Sequence, residues 1–128
     1  GELGVFPTNH HREVQVEMLR MGDSEGYHAF HARHEDTIVA TVSVIIMKNV
    51  PVASVYEVAT LNAWTRRGLA SALVRRACRF AVGEGCQYAI LNASKKGKVV
   101  YERLGFKQSS FGTFSLLVHP GPYPAEGV

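Results

Sequence analysis

Three consecutive segments constrain this chain more than any other feature: a strand-like run at Ser54–Leu61, a helical pattern over Gly68–Val82 and a short apolar run at Tyr88–Leu91. A strand, a crossover helix and a second strand in one sheet form a right-handed unit with the two strands parallel. Leu69, Leu73, Ala77 and Phe80/Ala81 recur at three- and four-residue spacing, and Gly83 and Gly85 end the pattern. Arg75, Arg76 and Arg79 fall largely off that stripe and read as a solvated face.

Upstream the pattern is all strand. Glu13–Arg20 alternates polar and apolar residues, and Tyr27–Arg33 and Thr37–Met47 flank the turn-like His34-Glu35-Asp36 as a hairpin. Downstream, Ser94 can cap a second helix that runs to Leu104 and stops at Gly105, and Phe111–Val118 closes the domain as a last strand. The predicted fold is α/β (α+β): a mixed, mostly antiparallel sheet with helices on its faces. Residues 1–12 read as a flexible lead, 13–118 as a single domain and 119–128 as a Pro- and Gly-rich tail. Gly1 in place of Met suggests a processed chain or a fragment of a longer one.

With 128 residues, 46% of them hydrophobic, the chain is long enough to bury a core, and its longest apolar runs, such as Val44-Ile45-Ile46-Met47, are of strand length and exclude a spanning helix. The net charge of +3 conceals an asymmetry: residues 1–65 carry four Arg and Lys against eight Asp and Glu, and residues 66–128 carry ten against three. The second half therefore calls for an anionic partner, and the acidic first half hints at a cationic one. Nucleic acid is not the expected partner, because the arginines cluster on a helix beside a loop instead of interleaving with aromatic residues on a sheet face.

Cys78 and Cys86 make no disulfide framework and read as reduced, half-buried thiols of a cytoplasmic protein. The series His28-x-x-His31-x-x-His34 invites a metal site, but residues three apart on a strand face opposite sides, so no metal is expected and these read as surface histidines of the hairpin. His119 has no assigned role.

The chemistry concentrates in Asn62-Ala63-Trp64-Thr65-Arg66-Arg67-Gly68-Leu69-Ala70, which joins strand to helix. A short loop with Gly at a helix start leaves backbone N–H groups unpaired at the positive end of the helix dipole, an anion site by construction. Gly68 allows close approach to the backbone, and Arg66 and Arg67 add donors.

Thr65-x-x-Gly68-x-Ala70, between strand and helix, resembles the Arg/Gln-x-x-Gly-x-Gly/Ala signature of the GNAT superfamily of N-acetyltransferases. About thirty residues on, Ser94-x-x-Gly97-x-x-x-Tyr101-Glu102-Arg103-Leu104-Gly105-Phe106 is similar to the second signature of that family, and the resemblance spans residues 27–118. Thr65 departs from the leading Arg or Gln, and Ser94 and Gly97 stand where many members have Asn and Ala.

A further departure is one of length. The family sets two substrate-covering helices between its first two strands, which need about 25 residues. Here only Met21–Gly26 separates the first two strand candidates. Either Glu13–Arg20 is not the first strand of the family, or those helices are missing and an upstream domain or a homodimer partner completes the acceptor site.

The resemblance implies direct acetyl transfer from acetyl-CoA to an amine of a small molecule or peptide. It implies that Arg66, Arg67, Gly68, Leu69, Ala70 and Ser71 hold the pyrophosphate, with Ser94 also on the cofactor side. Val58, Ala59 and Thr60 would hold the acetyl carbonyl and pantetheine arm by strand-like hydrogen bonds, and Tyr101 would be the general acid, helped by Lys98. Glu57 is the implied base, although simple alternation sets it on one face with Ala59 and Leu61; the family carries a bulge there, which can re-aim side chains. The rival implication is a non-catalytic acyl-CoA-binding or regulatory domain.

Overall fold

A computed structural model describes residues 3–5, 14–20, 26–47, 49–93, 95–108 and 116–119. The strands are β1 (Leu3–Val5), β2 (Val14–Arg20), β3 (Tyr27–His34), β4 (Thr37–Met47), β5 (Val52–Thr60), β6 (Tyr88–Asn92), β7 (Lys107–Gln108) and β8 (Leu116–His119); helix α1 (Leu69–Gly83) joins β5 to β6 and α2 (Lys95–Arg103) precedes β7. They form one eight-stranded sheet in the order β1-β2-β3-β4-β5-β6-β8-β7. Only β5 and β6 run parallel, as the strand–helix–strand order requires; the other six pairings are antiparallel.

The apolar stripe of α1 packs on the sheet as its spacing predicts. Leu69, Leu73, Val74, Ala77, Cys78 and Ala81 are buried on the helix. Opposite them lie Phe30, Val42, Val44, Ala53 and Val55, which share one sheet face because their positions pair across β3, β4 and β5. Phe80 meets Phe30 edge to face at 5.7 Å.

Several expectations are corrected. The lead is not wholly without structure: Leu3–Val5 pair with Val5↔Gln15 and Leu3↔Glu17 on β2. A three-residue strand is too short to show alternation, so only a paired neighbour reveals it. At the other end His119, assigned to the tail, is the last residue of β8 and 5% exposed. Of the strand expected at 111–118, residues 111–115 lie outside the described set, as does Ser94.

Six residues separate the end of β2 at Arg20 from the start of β3 at Tyr27, and of these Gly26 is described. The strand Val14–Arg20 pairs along its whole length with β3, from Val14↔His34 to Arg20↔His28.

His28 is not a surface histidine. It is 7% exposed, its ring 4.6 Å from that of Phe80, because the even positions of β3 face α1. Both cysteines are buried and free, and burial pushes the Cys78 thiol up to about 12. Arg75 and Arg76 are half-buried, and the Arg76 guanidinium lies 5.9 Å over Phe30, so of the three helix arginines Arg79 alone is exposed. Among the described residues no helix is long and apolar enough to cross a membrane.

Candidate functional site

The site begins where β5 loses a neighbour. Its parallel pairing with β6 runs from Val52↔Tyr88 to Val55↔Leu91 and stops, whereas on the other side β5 continues along β4 to Ala40↔Thr60. Beyond Val55 the two parallel strands part, and a cavity of about 280 Å³ opens between them. Tyr56 and Val58 of β5, Leu91 and Asn92 of β6, and Gly97 and Tyr101 of α2 form its walls. The strand edge from Glu57 to Thr60 faces this gap with no strand partner among the described residues.

A bulge sits at the same place. Ser43 pairs with Tyr56 and Thr41 with Ala59, so two residues of β5, Glu57 and Val58, stand against the single Val42. The extra residue changes the face of everything after it. Ala59 shares the face of Tyr56, away from α1, and not that of position 57 as simple alternation requires.

At the far end of β5 the chain turns through one 3-10 turn, Asn62–Trp64, into α1. The hydroxyl of Thr65 donates to the Asn62 carbonyl at 2.8 Å. Arg66 and Gly68 both adopt left-handed backbone conformations, with φ of 63° and 79°. Gly68 is the N-cap and supplies no side chain to the helix, so the N–H groups of Leu69, Ala70 and Ser71 have no acceptor within it; the first backbone bond is Ala72 N–H to the Gly68 carbonyl at 3.0 Å. A Cβ placed on Gly68 would meet no atom within 4 Å, so the space over this terminus is open. A phosphate fits that donor set, because three amides and the positive end of a fifteen-residue helix converge on one open point.

The two loop arginines are disposed differently. Both are exposed, but Arg67 folds back over Trp64 and donates from Nη2 to the Ala63 carbonyl at 3.3 Å.

Tyr101 is 9% exposed on the inner side of α2, its ring edge-on to Phe106 at 6.2 Å. Burial raises its pKa, so it carries its proton at neutral pH. The expected help from Lys98 is not present: its ammonium hydrogen-bonds Oε1 of Gln108, and desolvation is the cause of the Tyr101 shift. Among the described residues no cluster of three His, Cys, Asp or Glu side chains could hold a metal ion.

The structure thus gathers the candidates Val58, Ala59, Thr60 and Tyr101 at the gap and Arg66, Gly68, Leu69, Ala70 and Ser71 at the mouth of α1; Glu57 belongs to the bulge by its backbone. Sequence reasoning overlooks Tyr56, Leu91 and Asn92, whose place on the cavity wall follows from where the β5–β6 pairing ends.

Residues 3–106 match the model of the Acetyltransferase (GNAT) family. No curated protein sequence matches the chain. Among solved structures, a Bacillus subtilis acetyltransferase in complex with CoA superposes with a TM-score of 0.72 at 10% identity, covering 85% of this chain and 99% of that one. An acetyltransferase from Trypanosoma brucei gives 0.64 at 26% identity, with 69% and 67% covered. The PaiA N-acetyltransferase of Thermoplasma acidophilum, in complex with coenzyme A, gives 0.65 at 15%, and the chain covers 60% of its length.

Proposed function

Because the chain belongs to the GNAT acetyltransferase family, we propose that it transfers an acetyl group from acetyl-CoA directly to a primary amine of a small molecule or peptide. One observation carries this reading: a protonated phenol lines the opening where β5 and β6 part, and the β5 edge that runs on from it without a partner on that side among the described residues leads through one turn to the anion cradle at the start of α1. Bound there, acetyl-CoA supplies the activated acetyl thioester.

The amides of Leu69, Ala70 and Ser71 take pyrophosphate oxygens, with Gly68 allowing their approach and Arg66 adding positive charge, while Arg67 serves the same site from its place over Trp64. The free edge of Val58, Ala59 and Thr60 offers N–H and C=O groups to the amides of the extended arm, as a neighbouring strand would. Ser94, on the cofactor side by resemblance, belongs to the same proposal.

The reaction has two proton demands. A lysine-like amine lies ~3.4 units above neutral pH, so freeing its lone pair unaided costs ~4.6 kcal/mol. Glu57 at the bulge is the group we assign to that proton, directly or through water. As nitrogen bonds to the acetyl carbon, the C–S bond breaks and sulfur gathers charge. Tyr101 meets it with a proton that burial holds in place at neutral pH. The raised phenol pKa makes full transfer to a thiolate of ~8.5 uphill, so the hydroxyl acts first as a hydrogen-bond donor.

A second reading, a non-catalytic acyl-CoA-binding or regulatory domain, is favoured by the spacing of β2 and β3, whose six intervening residues are too few for two covering helices. For the transferase reading, a second copy or an upstream segment would complete the acceptor site. The two free cysteines suit a reducing compartment, the cytoplasm.

Acetyl transfer to an amine library, read by mass spectrometry and thiol release, tests the proposal. Turnover that Tyr101→Phe reduces supports it. Binding of coenzyme A without thiol release across the panel selects the second reading, and no binding overturns both.

A further inference from the structure

The loop that presents the α1 amides is tied down by a stack across three elements. The Trp64 ring lies 4.9 Å from that of His34 at the end of β3. The guanidinium carbon of Arg67 lies 4.4 Å over the Trp64 ring centroid, and Nη2 of Arg67 donates to the Ala63 carbonyl. Between Trp64 and α1 two residues hold left-handed backbone, and one of them, Arg66, carries a Cβ that disfavours it. Such a conformation persists where the surroundings over-determine it. The stack and the Thr65–Asn62 bond are what the surroundings supply.

Resting on the reading of the α1 terminus as the coenzyme A phosphate site, we infer that Arg67 is a positioning residue, which with Trp64 latches the loop to β3 and so sets coenzyme A affinity without touching the phosphate. Its planar guanidinium is the operative feature, because it covers the indole face and reaches the Ala63 carbonyl together; an ammonium has neither the plane nor the fork. The His34 ring, placed at the last position of β3, anchors the indole to the sheet.

Trp64 is the only tryptophan of the chain and so reports on the latch directly. The test measures its emission and acrylamide quenching in the free protein, and coenzyme A affinity by calorimetry, for Arg67→Lys, Arg67→Ala, Trp64→Ala, Trp64→Phe and the double alanine variant. Both Arg67 variants are expected to alter the emission and to weaken coenzyme A binding about two- to fivefold, the scale of one exposed cation–π contact. Trp64→Ala should match them, the double variant should be no weaker than either single one, and Trp64→Phe should restore most of the affinity.

Wild-type affinity in Arg67→Lys beside a loss in Arg67→Ala would show charge acting on phosphate and overturn the latch. Additive losses in the double variant, or emission unchanged in both Arg67 variants, overturn it as well. Wild-type protein that binds no coenzyme A removes the phosphate-site reading and the latch together; binding that all variants share removes the latch alone.

Discussion

Gly105 lies against His119 so closely that a Cβ on the glycine would stand 2.6 Å from Nε2 of the histidine. That nitrogen is 3.0 Å from the Leu104 carbonyl, and the ring meets Phe106 edge to face at 5.1 Å. The contact seats the end of α2 on β8. Gly105 also has a φ of +105°, so Gly105→Ala incurs a backbone penalty of about 1–3 kcal/mol besides displacing the His119 ring. Chemical denaturation of the variant should show that loss, and a midpoint equal to wild type would remove the contact from the account of stability.

His119 makes stability depend on pH. Burial lowers its pKa, so the unfolded chain binds the proton more readily than the folded one. Stability is full above the unfolded value of about 6.5 and declines as pH falls through and below it. The wild-type slope below pH 6.5 should exceed that of His119→Gln in paired urea titrations, and equal slopes would show that the group does not titrate differently on folding.

Tyr101→Phe should leave coenzyme A binding nearly intact, since the ring and its packing on Phe106 remain, while kcat falls by roughly 10²–10⁴. Steady-state kinetics beside calorimetry separates the two effects.

Gly68→Ala meets no atom, so its cost to the free protein is that of a Cβ at left-handed φ, about 1 kcal/mol. Coenzyme A affinity should fall further, roughly tenfold for one lost charge-assisted hydrogen bond. A thermal shift by coenzyme A as large as that of wild type would argue against phosphate at this terminus.

The thiols should be silent in the native state. With Cys78 near 12, its thiolate fraction at pH 8 is roughly 10⁻⁴, and burial raises Cys86 also. Labelling by a thiol reagent should therefore follow unfolding, and fast stoichiometric labelling of native protein would contradict the burial.

Helix α1 is legible in the sequence because its stripe runs Leu69, Leu73, Ala77, Ala81 with glycines at both ends, and the β3–β4 hairpin because a turn separates two strand-like runs, the second rich in β-branched residues. The strand–loop–helix junction is legible for the same local reasons. What is hidden depends on register. Neither Glu57 nor Val58 announces that it is the extra residue of a bulge, yet that single insertion decides which face Ala59 takes. The burial of His28 follows from α1 lying over the even face of β3, a contact between residues some fifty positions apart. Arg67 reads as a free cation beside a glycine, and its fold back onto Trp64 depends on a turn whose geometry the residue types alone do not specify.

The early end of the β5–β6 pairing creates an interior edge, a row of backbone donors and acceptors in the middle of a sheet instead of at its rim. Edges at a rim can be blunted by charge, proline or a covering loop; one in the middle can be closed only by something that enters the cleft. Any extended backbone of the right polarity competes for it, including a strand from another copy of the chain. Solubility and ligand occupancy are therefore coupled in this fold, and coenzyme A should suppress concentration-dependent self-association as well as raise the unfolding temperature.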